Sequence, residues 1–103
     1  MKYNINLSPG AVREFRALSA FEGGQVRAGI ERHLRNEPAR LSRSQIKRLR
    51  GLRRPQYRLW IGDIRVFYDV IDDQVQILTI LGKAQVEAWL KERGTPNEED
   101  RSR

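Results

Sequence analysis

The sequence predicts a single α+β domain, a strand and two helices followed by a four-stranded antiparallel meander and a closing helix. Three observations carry that expectation. Apolar residues recur at helical spacing between Val12 and Leu34 and alternate between Tyr57 and Leu81. A Gly62-Asp63 pair separates two alternating runs, which is the signature of a two-residue hairpin. The 103 residues, 39% hydrophobic and 32% charged, suffice for one modest core and not for two.

Tyr3 to Leu7 alternates as a first strand. Ser8-Pro9 then supplies an N-cap and a proline at the first helical position, with Val12, Phe15 and Leu18 following at helical spacing. A second helix is expected from Glu22 or Gly23 to Arg35, with Val26, Ile30 and Leu34 as its apolar stripe and Asn36-Glu37-Pro38 as its end. Two short helices after one strand form a helical hairpin whose stripes need a sheet to cover. Ile46 to Leu52 is expected as the second strand, broken by Arg53-Arg54-Pro55.

The hairpin is the most informative segment. Counting outward from Gly62-Asp63 pairs Ile61 with Ile64, Trp60 with Arg65, Leu59 with Val66, Arg58 with Phe67 and Tyr57 with Tyr68. Side chains alternate across a strand, so Tyr57, Leu59, Ile61, Ile64, Val66, Tyr68 and Val70 form a core face. Arg58, Trp60, Arg65, Phe67 and Asp69 form the other. Ile71-Asp72-Asp73-Gln74 reads as a tight turn, and Val75 to Leu81 as the last strand. A turn centred on Asp72-Asp73 puts Val75, Ile77, Thr79 and Leu81 on the core face and Gln76, Leu78 and Ile80 opposite. Because Phe67, Leu78 and Ile80 make the opposite face partly apolar, the C-terminal helix or a partner is expected to cover it. Gly82 punctuates the strand, and Lys83 to Glu92 is amphipathic, with Val86, Trp89 and Leu90 on one stripe. Gly94, Thr95 and Pro96 stop that helix. The domain is expected over residues 1–93, with 94–103 as a disordered polar tail.

Composition narrows the function. The formal charge of +7 favours polyanionic partners, and eight basic residues with no acid lie between Arg40 and Arg58. With no cysteine and one histidine, a disulfide framework and a His-rich metal site are not expected, and no cofactor is called for. No apolar stretch approaches the ~20 residues of a membrane span, and the N-terminal residues lack the apolar core of a signal peptide. A cytoplasmic location is the expectation.

Within the basic segment, Lys47, Arg48, Arg50, Arg53 and Arg54 suit phosphate contact, or else a charged edge strand protected from pairing. Trp60 can stack a base or simply pack. Arg65 can serve a phosphate, stack on Trp60 or pair with Asp69. His33, on a helix beside Arg32, is expected to be a solvated surface residue, and Tyr68 a core residue.

The element order, with Lys47-Arg48-Leu49-Arg50-Gly51-Leu52, Tyr57-Arg58-Leu59 and Gly62-Asp63-Ile64-Arg65-Val66-Phe67-Tyr68, resembles the RelE/ParE toxin superfamily over roughly Tyr3 to Leu90. The resemblance implies a small basic toxin neutralised by a cognate acidic antitoxin. RelE-like members cut mRNA in the ribosomal A site without metal, and ParE-like members inhibit DNA gyrase. By the same resemblance Arg65 matches the arginine of the central strand, Arg58 a basic position on the preceding strand, and Lys83 lies near the basic position after the last strand. Where ribosome-dependent members often carry a Tyr or His, this chain has Trp89, which exchanges no proton. The expected function is a type II toxin acting as an mRNA endonuclease, with RNA and the ribosome as partners. The alternatives are a non-enzymatic gyrase inhibitor and a member that only binds its antitoxin or RNA.

Metal-free RNA cleavage must deprotonate a 2′-hydroxyl, stabilise a pentacovalent phosphorane and protonate the leaving 5′-oxygen. Arginine forks suit the second task and are poor at the first. That leaves Lys83 as the candidate proton carrier beside Arg58 and Arg65.

Overall fold

The computed structural model describes residues 2–96. The chain runs as β1 (Asn4–Leu7), α1 (Pro9–Arg16), α2 (Ala20–Leu34), β2 (Ile46–Arg48), β3 (Leu52–Arg54), β4 (Tyr57–Ile61), β5 (Ile64–Ile71), β6 (Gln74–Gly82), a single 3-10 turn at Lys83–Gln85, α3 (Val86–Arg93) and β7 (Thr95–Pro96). Five strands form one sheet in the order β1-β6-β5-β4-β2, and β3 pairs with β7 in a separate two-stranded ribbon. Strands β2, β4, β5 and β6 make the antiparallel meander, and β1 joins its far edge parallel to β6. No helix among the described residues is long and apolar enough to cross a membrane.

Local chemistry explains the helices. The Ser8 hydroxyl accepts a hydrogen bond from the Ala11 amide at 3.0 Å, with Pro9 at the first helical position of α1. Helix α2 starts at Ala20, earlier than the expected Glu22 or Gly23, because Ser19 caps it by accepting from the Glu22 amide at 3.1 Å. Val26, Ile30 and Leu34 are buried as the stripe required. Where α2 crosses the sheet, Gly29 lets it approach closely, since a Cβ there would lie 2.6 Å from Ile61 Cδ1.

The hairpin register holds at all five pairs from Ile61–Ile64 out to Tyr57–Tyr68. Gly62 has φ of +58°, and Asp63 has none in the left-handed region, as a turn with glycine at its first central position requires. Leu59, Val66, Tyr68, Val75 and Ile77 are fully buried and pack with the α2 stripe in one core. The Tyr68 hydroxyl donates to the Pro38 carbonyl at 2.6 Å, and burial together with Tyr57 holds its acidity well below that of a free phenol.

Three expectations are corrected. The strand expected over Ile46–Leu52 is two short strands, because Gly51 turns the chain with φ of +75° after Arg48. Thr95–Pro96, expected in the polar tail, form β7 and pair with Leu52 and Arg54 of β3. Asn97–Arg103 lie outside the described residues. The inward face of β6 changes partway along. Tyr68 pairs with Ile77 while Phe67 pairs with Thr79, so Leu78 is an extra residue, a β-bulge. Ile80 therefore joins the core, and Thr79 and Leu81 fall on the face of Phe67 and Arg65. The bulge is held by polar contacts beyond the end of β1. Ser8 Oγ donates to the Leu78 carbonyl at 2.8 Å, while the Glu14 carboxylate accepts from Thr79 Oγ1 at 2.8 Å and from the Ile80 amide at 3.0 Å. On the opposite face Trp89 of α3 stacks on Phe67 at 5.7 Å, so the C-terminal helix supplies the expected cover.

Candidate functional site

Two residues on β4, one on β5 and one on β2 meet on the face away from the core. Arg58 and Trp60 are two apart on β4, so both point to that face. Arg65 is the cross-strand partner of Trp60, and Lys47 that of Arg58. The guanidinium carbons of Arg58 and Arg65 each lie 4.6 Å from the Trp60 ring centroid, and Lys47 Nζ lies 5.5 Å from it. Each such contact is worth about 0.5–2 kcal/mol, depending on how far it is shielded from water. Together they offset the mutual repulsion of three cations on one small surface.

The two arginines are held differently. Arg65 donates through Nη1 to the Gly62 carbonyl at 2.7 Å and to the Ile64 carbonyl at 3.2 Å, which ties it to the hairpin turn. Arg58 Nε is buried and has no hydrogen-bond partner among the described residues, and the same is true of Trp60 Nε1. Burial, with the positive charge of Arg65 beside it, holds the Arg58 guanidinium below the usual arginine pKa. Among the described residues it has no anionic partner.

The other candidates have partners of their own or are exposed. Lys83 follows Gly82, the partner of Ile64, and so lies beside the hairpin turn. Its amide donates to the Asp63 carbonyl at 2.9 Å, and its Nζ is 3.7 Å from Asp63 Oδ1 in an exposed ion pair. A pair in this setting holds a side chain only weakly. Arg48 points to the opposite face of β2 from Lys47 and stacks on Tyr57 at 5.0 Å. Arg50 and Arg53 are exposed around the Gly51 turn. Arg54 donates through Nε to Asp69 at 2.7 Å, so its charge is already paired. Asp69 therefore serves Arg54, and Arg65 takes the stacked position on Trp60.

Sequence reasoning missed two features. Asp69 also accepts from the Gln56 amide at 2.7 Å, so it organises the turn between β3 and β4. Its place amid apolar neighbours on a central strand was the available signal. His33 is half-buried, where full solvation was expected, and burial with the adjacent Arg32 lowers its pKa. Among the described residues no three His, Cys, Asp or Glu side chains cluster as metal ligands would.

A mostly antiparallel sheet with three helices and a partly buried cation–indole cluster defines a small basic α+β domain. Solved structures make the fold specific. A RelB–RelE antitoxin–toxin complex from Methanococcus jannaschii matches with a TM-score of 0.65 at 15% identity, over 82% of this chain and 96% of that one. An E. coli RelE toxin variant in the free state matches at 0.66 and 24% identity, over 89% and 94%. The RelBE2 toxin–antitoxin complex of Mycobacterium tuberculosis matches at 0.62 and 22% identity, over 80% and 99%. No family model and no curated protein matches the sequence. The chain has the RelE toxin fold.

Proposed function

We propose that this chain is the toxin of a type II toxin–antitoxin pair and an mRNA endonuclease that acts with the ribosome. The observation that carries this reading is the pair of arginines, Arg58 and Arg65, gathered on Trp60 on the exposed face of a RelE-type sheet. Two guanidinium groups beside one another are poorly compensated alone and well compensated by a phosphate whose negative charge grows as the phosphorane forms. The cluster thus favours the transition state over the ground state. Arg58, with burial already opposing its charge, gains most from an arriving anion. Lys83 is the proton carrier in this scheme. Leaving Asp63 would bring its ammonium toward the phosphate beside Arg65, where it can protonate the leaving 5′-oxygen, while solvent water takes the proton released by the attacking 2′-hydroxyl. Lys47 extends the cationic surface along the strand.

The partner that holds such a protein inactive is an acidic antitoxin covering the basic face. Two of the matched structures are complexes of a toxin with its antitoxin, which supports that reading. The test is mRNA integrity and translation in a cell-free system containing ribosomes, comparing wild type with Arg65→Ala and Lys83→Ala. Wild-type protein should cleave mRNA, and Arg65→Ala should lower the rate by at least 100-fold, in line with the loss of one anion-stabilising donor. Lys83→Ala should lower it comparably. Intact mRNA with unimpaired translation would overturn the nuclease reading and shift attention to gyrase inhibition, read in a supercoiling assay.

A further inference from the structure

Trp60 is neither a free aromatic platform nor a core residue. Both arginines and Lys47 lie against its ring, so a base can stack there only by displacing a cation. Its indole Nε1 is buried without an acceptor among the described residues, as is Nε of the Arg58 stacked on it. A buried N–H without an acceptor is costly, and natural structures seldom leave one. Here two occur on groups in contact, inside a cluster of three cations. Both are donors, and the local charge is positive. The acceptor that satisfies both conditions is an anionic oxygen.

We infer that Trp60 is a positioning and donor residue of an oxyanion site, in which its ring holds Arg58 and Arg65 together and its Nε1–H and Arg58 Nε–H, both covered in the free protein, are uncovered by a shift of the stacked side chains to bind an oxygen of an RNA phosphodiester. The inference rests on the nuclease reading above and sharpens it by assigning the indole to the phosphate and not to a base. The two roles of the indole are complementary. The ring face attracts cations through its quadrupole, while the N–H at its edge attracts anions and, unlike an ammonium, keeps its proton at every accessible pH. Arg65 is anchored by the carbonyls of Gly62 and Ile64, so the ring and Arg58 are the adjustable parts of the site.

The experiment follows the indole N–H signals of the uniformly 15N-labelled full chain by NMR. The probes are inorganic phosphate, a hexanucleotide whose 2′-hydroxyls are replaced by hydrogen to prevent cleavage, and adenosine without phosphate. Trp60→Phe identifies the Trp60 signal by its loss, leaving that of Trp89. Phosphate and the hexanucleotide should both move the Trp60 indole proton downfield, as a new hydrogen bond does, and adenosine should leave it in place. Trp60→Phe keeps a ring for the arginines and removes only the donor, so its hexanucleotide affinity should fall about 10-fold. Trp60→Leu removes ring and donor and should lose about 100-fold. Should Trp60→Phe fail to fold, through-space contacts to neighbouring residues assign the two indole signals in the wild type, whose shifts then decide the matter on their own. A Trp60 signal indifferent to phosphate but moved upfield by adenosine would overturn the assignment in favour of base stacking. Binding and cleavage that depend on Arg65 while the indole signal stays fixed would overturn this inference alone. Absence of all binding, together with intact mRNA, would overturn the nuclease reading beneath it.

Discussion

Asp69, 1% exposed, carries its charge inside the sheet and is satisfied by Arg54 Nε and the Gln56 amide, both at 2.7 Å. Its role is to fix the turn that delivers β4, and with it Arg58 and Trp60. Asp69→Asn keeps the shape, removes the charge and sets an amide against Arg54. Because Arg54 is half-exposed, the cost should be about 2 kcal/mol and not that of a fully buried pair, measured as a lower urea midpoint with an unchanged slope. The juxtaposition of Arg58, Trp60 and Arg65 was legible in the sequence, because a two-residue turn fixes register and register fixes face. Arg54 was not separable from its basic neighbours in the same way. Its partner lies fifteen positions away across a break, and charge counting treats all five cations of the segment alike. Arg48 shows the same limit, since alternation along a strand only became usable once β2 was known to stop there.

At the scale of elements, the two turns of the meander use different residues for one task. Gly62 takes φ of +58° freely, whereas Asp72 takes φ of +55° with a side chain that disfavours it. Asp72→Gly should therefore stabilise the protein by about 0.5–1 kcal/mol, seen as a higher melting temperature, with the β5–β6 register unchanged. The strands and their order were readable from alternation and turn chemistry. The bulge at Leu78 was not, because Leu78, Thr79, Ile80 and Leu81 offer apolar side chains to either parity. The choice was made by distant polar groups, Ser8 and Glu14, that no local pattern contains. The early start of α2 was readable in principle from Ser19 and Glu22 at capping-box spacing. The low helix propensity of Gly23-Gly24 masked it.

For the whole molecule, a charge of +7 is useful only where it is concentrated. Lys47 stands on the site's face, so on the proposed function it should contribute to the salt dependence of RNA binding without contributing to chemistry. On a logarithmic plot of affinity against salt, Lys47→Ala should reduce the magnitude of the slope by about 0.7, the value for one phosphate contact on a single strand. Arg48→Ala, on the opposite face, should leave the slope unchanged. Either result reversed would mean that the strand runs over the other face of β2.

The parallel pairing of β1 with β6 joins Asn4–Leu7 to Gln74–Ile77, segments some seventy residues apart in the chain. Closing so long a loop is slow and cannot precede the synthesis of its later half. During translation the amphipathic helices α1 and α2 therefore emerge with their apolar stripes uncovered and wait for a sheet that is finished only with the last strands. The β4–β5 hairpin that bears the cation cluster has no stable core behind it until then. The cation cluster is thus assembled only after β6 has been made, so its geometry is the product of the finished sheet and not of the hairpin alone.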